Sequence, residues 1–204
     1  MHVSDALRQR LSTNNFDATA SISDEQLFEL VRLAQEAPSC FNVQFTRYVA
    51  VKSPAARQAL MAAAYNQPKV AAAAAVFVLT GDLRAHMAFA ERTRAAAAAG
   101  TLPAAVADHL VKSTASFDNR VRAREECLRS VGLSGMSLML AAQEAGLASC
   151  PMIGFDPAAV STLLGLDEDH PPLLMIAVGP AGSAVQARKP RLAAEAVLRI
   201  HDLA

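Results

Sequence analysis

Apolar positions recur along this chain in two spacings, broken at prolines and glycines. Leu27, Leu30, Val31 and Ala34 return every three to four residues and predict an amphipathic helix. Ser23 and Gln26 form a capping box at its start, and Pro38 closes it, since the residue before proline avoids the helical region. A short helix beginning at Ser4-Asp5 precedes it, ending near Leu11, and residues 10–17 read as loop. Phe45 to Val51 is a β-rich run, and Pro54 opens a helix to about Ala64. Residues 65–69 are a turn leading into another helix. The apolar run over residues 73–80 predicts a strand buried on both faces, as does the run over residues 173–178.

The stretch from Ser130 to Asp156 organises the rest. Residues 131–145 are apolar on almost every side, which predicts a buried helix. Ser134, Ser137, Gln143 and Glu144 interrupt the run, which also falls short of the roughly 20 apolar residues that span a bilayer. Gly146 supplies a C-terminal cap. An extended piece over residues 148–154 follows, and Asp156-Pro157 starts the next helix. A buried helix thus delivers the turn Pro151-Met152-Ile153-Gly154 to a fixed place, and Gly154 permits close approach to a ligand. Residues 83–112 read as two helices broken at Gly100-Thr101-Leu102-Pro103, and this segment is the most separable insertion. The apolar tail from Leu192 suits a short helix or an exchanged segment. Many helices and few strands in mixed order indicate an α+β sandwich.

Composition narrows the functions open to it. The 204 residues suffice for one domain with a sizeable core, and 52% of them are hydrophobic, which predicts a globular chain. Nineteen basic residues balance nineteen acidic ones, so neither nucleic acid nor a membrane surface is expected as a partner. The N-terminus has no apolar signal region, and Cys40, Cys127 and Cys150 form no paired motif. A cytoplasmic location is expected. The five histidines show no ligand spacing, so no metal site is expected. Glycine-rich phosphate loops and a hydrolase elbow are absent from the sequence as well. So high an apolar content points to a large interface between copies.

Five short patterns remain. They are Arg10-x-Ser12; Pro38-Ser39-x-x-Asn42-x-Gln44; Asn66-x-x-Lys69; Pro151-x-x-Gly154-Phe155-Asp156; and Lys189-x-Arg191. Only four lysines exist, and Lys69 and Lys189 fall within these patterns. In this order the patterns resemble the FMN-dependent nitroreductase family over about residues 7–200.

The resemblance implies an α+β three-layer sandwich, an antiparallel or mixed sheet flanked by helices, in an intertwined homodimer with FMN sites at the interface. It implies a single FMN-binding domain over residues 1–204, with residues 83–117 a variable helical insertion over the active site. Arg10 and Ser12 would meet the FMN phosphate together with Lys189 and Arg191. Asn14, Asn66 and Lys69 would face the pyrimidine edge. Pro38, Ser39 and Asn42 would come from the second subunit to line the isoalloxazine and ribityl chain, and Cys40 and Gln44 would also contact the cofactor. Ile153 and Gly154 would bring a backbone N–H near flavin N5, and Phe41 and Phe117 would meet the substrate. No side chain would be catalytic in its own right, because the flavin carries the chemistry.

These residue types suit that role. A phosphomonoester favours planar arginine donors with lysine as a point charge. A cation such as Lys69 stabilises the negative charge that appears at the pyrimidine edge on reduction. Four departures bear on the substrate more than on the cofactor. Asn14 stands where many members are basic, Ile153 where many have Glu, Phe45-Thr46 follows Gln44 in place of Pro-Trp, and Phe41 is bulky. The expected function is an oxidoreductase using NADH or NADPH to reduce a small acceptor by a ping-pong hydride transfer. The acceptor would be a nitroaromatic, quinone, enone or aldehyde. The alternatives are a flavin-binding module without turnover, for storage, sensing or regulation, and a scaffold that holds no flavin.

Overall fold

The computed structural model of the chain describes residues 2–183 and 187–201. Helix α1 spans Val3–Gln9 and α2 spans Asp24–Ala34. The Ser23 hydroxyl accepts from the Gln26 amide (3.2 Å), and the Gln26 side chain accepts from the Ser23 amide (3.0 Å), so the expected capping box is present. Strand β1 (Thr46–Val51), α3 (Pro54–Ala63), α4 (Pro68–Ala72) and β2 (Ala75–Gly81) follow. Helices α5 (Ala85–Ala98) and α6 (Ala104–Thr114) are the expected pair and pack against each other. The long α7 (Arg120–Glu144), β3 (Ala148–Met152), α8 (Pro157–Leu164), β4 (Pro172–Gly179) and a short α9 (Ala194–Val197) complete the order.

The sheet runs β1-β2-β4-β3, antiparallel throughout, with β1 and β3 at its edges. Alternation along the central strands divides the core. Ala75, Phe77 and Leu79 of β2 face the layer of α2 and α7, with Ile176 and Val178 of β4 beside them. Val76 and Val78, with Met175 and Ala177, face the layer holding Leu60 of α3, Val70 of α4 and Val160 of α8. A period of two thus gives one sheet two buried faces and the molecule three layers. Every residue of β2 is buried, as its apolar run predicts. Phe45 and Phe117, edge to face at 5.3 Å, belong to a third cluster beneath α5.

Helix α7 departs from the all-round burial expected of residues 131–145. Val131, Ser134, Gly135, Leu138, Met139 and Ala142 are buried, but Gly132 is exposed and Leu133 is 47% exposed. The helix lies along one face of the sheet, so only half its circumference meets its own chain. Gly135 lies on the buried side, where a Cβ would come within 2.7 Å of the Leu174 side chain. At the C-terminus Gly146 takes φ +73°, and the Leu147 amide donates to the Ala142 oxygen at 2.8 Å, which ends the helix as expected.

The tail takes the helical option for four residues. Leu192, Val197, Leu198 and Ile200 remain 64–79% exposed, so it does not pack on its own chain. Residues 184–186, within the loop expected after Pro180, lie outside the described residues. Among the described residues no helix is long and apolar enough to cross a membrane.

Candidate functional site

The segment after α1 runs beside edge strand β3. Ser12 forms a parallel bridge with Ser149, and the Thr13 amide donates to the Ser149 oxygen at 3.0 Å. Arg10, Ser12 and Asn14 therefore stand over Cys150 and Pro151. From the other side, Arg188 donates to the backbone oxygens of Leu7 (3.1 Å), Arg8 and Arg10 (3.2 Å), tying the C-terminal segment to the end of α1. Lys69, in the first turn of α4, reaches across to the Asn14 side-chain oxygen at 3.0 Å. The result is a cleft of about 300 Å³.

Arg10, Ser12, Asn14, Lys69, Lys189 and Arg191, six of the residues singled out in the sequence, line this one cleft, with Arg188 and Cys150 added. Three guanidiniums and two ammoniums face it, and among the described residues no carboxylate lines it. Burial, and behind it the charges of Arg188 and Arg191, push the Arg10 guanidinium below its ordinary value. Its Nη1 is buried with no hydrogen-bond partner among the described residues. A buried donor without an acceptor is costly, and here it sits among like charges. An anion carrying several oxygens answers both problems at once, so this donor set fits the phosphate of FMN.

The turn after β3 lies beside this cleft. Met152 and Phe155, both 5% exposed, are anchored in the core on either side of Ile153, which is 80% exposed. Asp156 caps α8 through its side chain (2.9 Å to the Ala158 amide), while its own amide donates to the Ala63 oxygen at 2.9 Å. Gln67 donates to the Gly154 oxygen at 2.7 Å. Gln67 follows a separate turn before α4 in which Tyr65 and Asn66 both take φ +54°. Asn66, Ile153 and Gly154 are thus coupled through Gln67, although they do not line the cleft itself.

Pro38, Ser39, Cys40, Phe41, Asn42 and Gln44 are elsewhere. They form the loop into β1, with a 3-10 turn at Cys40–Asn42. Pro38, Ser39 and Gln44 line a separate cavity of about 30 Å³ with Tyr48, Ser130 and Ser134. Phe41, Asn42 and Gln44 take φ values of 51°, 58° and 64°. The loop is held by the Ser39 hydroxyl, which accepts from the Gln44 amide (2.9 Å), and by Arg47, which bridges the Gln44 oxygen (2.7 Å) and Asp82 (2.6 Å). β1 and β3 are opposite edges, three strand spacings or about 14 Å apart. One chain therefore does not gather all the residues expected around a flavin into one cavity.

Phe117 departs from expectation. It is 6% exposed and packs on Phe45 and His86, so its side chain is core and not offered to a substrate. Its apolar ring packs in the cluster that holds Phe45, Ala85 and Phe89. Arg188, Gln67 and Cys150 were not anticipated. The run Arg188-Lys189-Pro190-Arg191 could have signalled the first. The others are visible only once β3 and α4 are brought together.

The nitroreductase family profile matches residues 7–180. MhqN of Bacillus subtilis, named for a proposed NAD(P)H nitroreductase activity, is 37% identical over 188 residues, 91% of this chain and 90% of that protein. The crystal structure of ydfN, a proposed nitroreductase of Bacillus subtilis, superposes with a TM-score of 0.91 at 33% identity, covering 97% of this chain and 98% of that one. A protein of Exiguobacterium sibiricum, solved in complex with FMN, shares the fold at a TM-score of 0.88 and 24% identity, covering 98% of each chain. The chain belongs to the nitroreductase family.

Proposed function

We propose that the protein is an FMN-dependent oxidoreductase that takes reducing equivalents from NADH or NADPH and delivers them to a small acceptor. Nitroaromatics, quinones, enones and aldehydes are the acceptor classes. The observation that carries the reading is the cleft with five cationic side chains, no lining carboxylate and the unpartnered Arg10 donor.

When bound, FMN would supply hydride acceptance from the nicotinamide and hydride donation to the acceptor in turn. The chain's own residues bind and orient. Arg10, Arg188, Lys189 and Arg191 hold the phosphate, with the Ser12 hydroxyl as a further donor. Lys69, placed by Asn14, and Asn66 serve the pyrimidine edge. The turn at Ile153 and Gly154, held by Gln67, presents backbone N–H to the ring system. Pro38, Ser39, Cys40, Asn42 and Gln44 complete the site from a second copy, which is why they stand at the opposite sheet edge from the phosphate cleft. Phe41, 43% exposed, faces the acceptor. The homodimer and a cytoplasmic location belong to this proposal, the latter supported by three unpaired cysteines.

The test is the absorbance spectrum of the purified protein, before and after NADH or NADPH is added without oxygen. Flavin colour that bleaches, and returns when a quinone is added, supports the reading. A colourless protein that takes up no FMN overturns it, and bound flavin that neither nicotinamide bleaches leaves only a binding module.

A further inference from the structure

Asn14 stands in the cleft with two donors converging on one atom. Its side-chain oxygen accepts from the Lys69 ammonium at 3.0 Å and lies within reach of the Cys150 thiol at 3.7 Å. Cys150 is 3% exposed and fixed in β3 by its pairing with Ala177, so the thiol is a stationary member. Two donors on one atom identify it as the carbonyl oxygen and set the plane of the amide. Lys69 belongs to the short α4 and swings on a flexible four-carbon stem. An ammonium on such a stem has no preferred position until an acceptor holds it. The Asn14 oxygen uses one of its three N–H donors and leaves two for a ligand.

We infer that Asn14 is a positioning residue: its side-chain oxygen, oriented by the Cys150 thiol, holds the Lys69 ammonium at the cleft and thereby sets how strongly the protein favours reduced over oxidised FMN. The inference rests on reading this cleft as the FMN site. A neutral amide does this work without cancelling the charge it holds. A carboxylate at the same position would pair with Lys69 and remove its field from the ligand. A second cation there would push the ammonium away.

The experiment is the midpoint potential of bound FMN, with its dissociation constant in the oxidised state, for Asn14→Ala, Asn14→Asp, Lys69→Met and the double variant Asn14→Ala/Lys69→Met. Asn14→Ala is expected to cut the preference for reduced FMN about tenfold, which lowers the two-electron potential by about 30 mV. Asn14→Asp should lower it further, because it neutralises Lys69 where Ala only releases it. In the Lys69→Met background, Asn14→Ala should change nothing more, since no ammonium remains to be held. An unchanged potential in Asn14→Ala, alongside a lowered one in Lys69→Met, overturns the inference and leaves the FMN site standing. Full additivity in the double variant also overturns it. An unchanged potential in Lys69→Met removes Lys69 from the flavin edge, and the inference falls with it.

Discussion

Arg188 donates from its guanidinium to the backbone oxygen of Arg10 at 3.2 Å, so the backbone of one arginine holds the side chain of another in the same cleft. Like charges are thereby kept close, and among the described residues no acid lines the cleft to balance them. FMN-free protein should be stabilised by inorganic phosphate, with a melting temperature that rises with phosphate concentration, as for any ligand that binds only the folded state. Arg191→Ala and Arg188→Ala should each weaken FMN by about 1.5–3 kcal/mol, the range for hydrogen bonds to charged groups. Calorimetric titration checks this. An unchanged dissociation constant in either variant removes that arginine from the phosphate site.

Arg57 is a buried arginine with a structural task. It is 6% exposed and donates to the backbone oxygens of Lys52 (3.1 Å), Ala71 (2.7 Å) and Ala73, joining α3 to the end of α4. Arg57→Met should cost about 3 kcal/mol in urea unfolding, because buried carbonyls lose a charged donor. It should leave FMN affinity unchanged in the folded protein, since Arg57 does not line the cleft. A loss under about 1 kcal/mol, the ordinary worth of one hydrogen bond, would mean that water satisfies those carbonyls.

Cys127 carries a pH signature. Burial, and behind it the charge of Asp82, pushes its thiol up to about 12 from an ordinary value of 9.0. Its folded value lies above its unfolded value, so its contribution to stability is intact below pH 9 and is lost between about pH 9 and 12. Stability should fall there by up to about 1.4 kcal/mol per pH unit through this one group. Cys127→Ala should flatten that part of the profile relative to the parent. Equal slopes in parent and variant, measured by denaturant unfolding at several pH values, would assign the alkaline loss to other groups.

The separation of the Pro38–Gln44 loop from the phosphate cleft predicts a composite site. In a tagged heterodimer of an Asn42→Ala chain with an Arg191→Ala chain, one site should carry both changes and the other neither. Equilibrium dialysis should then find about one tightly held FMN per dimer. Two equally weakened sites would place Asn42 and Arg191 in the same chain's site, and tight FMN on an isolated monomer would end the idea.

Much of this was legible in the sequence because the signals are local. The capping box at Ser23, the prolines at 54 and 157 and the glycine at 146 mark helix ends through their own backbone chemistry, and they stand where expected. The continuous apolar runs of β2 and β4 were likewise readable. The outer face of α7 was not, because apolar composition does not say whether a face meets its own chain or another. Phe117 failed for a related reason: an aromatic ring serves a core or a ligand equally well until its neighbours are known. Arg188 and Gln67 act through backbone oxygens far away in sequence, and such partners leave no spacing to read. The grouping of Arg10, Lys69 and Arg191 came from resemblance, and the structure supplies what resemblance lacked, the buried donor and, among the described residues, a cleft lining without a balancing acid.

Among the described residues, five other than glycine hold left-handed backbone, and all five lie in two turns: Phe41, Asn42 and Gln44 in one, Tyr65 and Asn66 in the other. For phenylalanine, tyrosine and glutamine that geometry costs about 1–2 kcal/mol each relative to an ordinary conformation. A stabilisation campaign guided by backbone geometry alone would choose these turns first and replace Phe41 and Tyr65 with glycine. Such replacements are expected to yield a tougher scaffold and, on the proposed reading, to remove the Phe41 side chain that faces the acceptor. On the proposed reading, in which Phe41 faces the acceptor, redesign for a new acceptor has the opposite starting point: the side chain at 41 is the one to vary, on a turn whose strained backbone is left as it is.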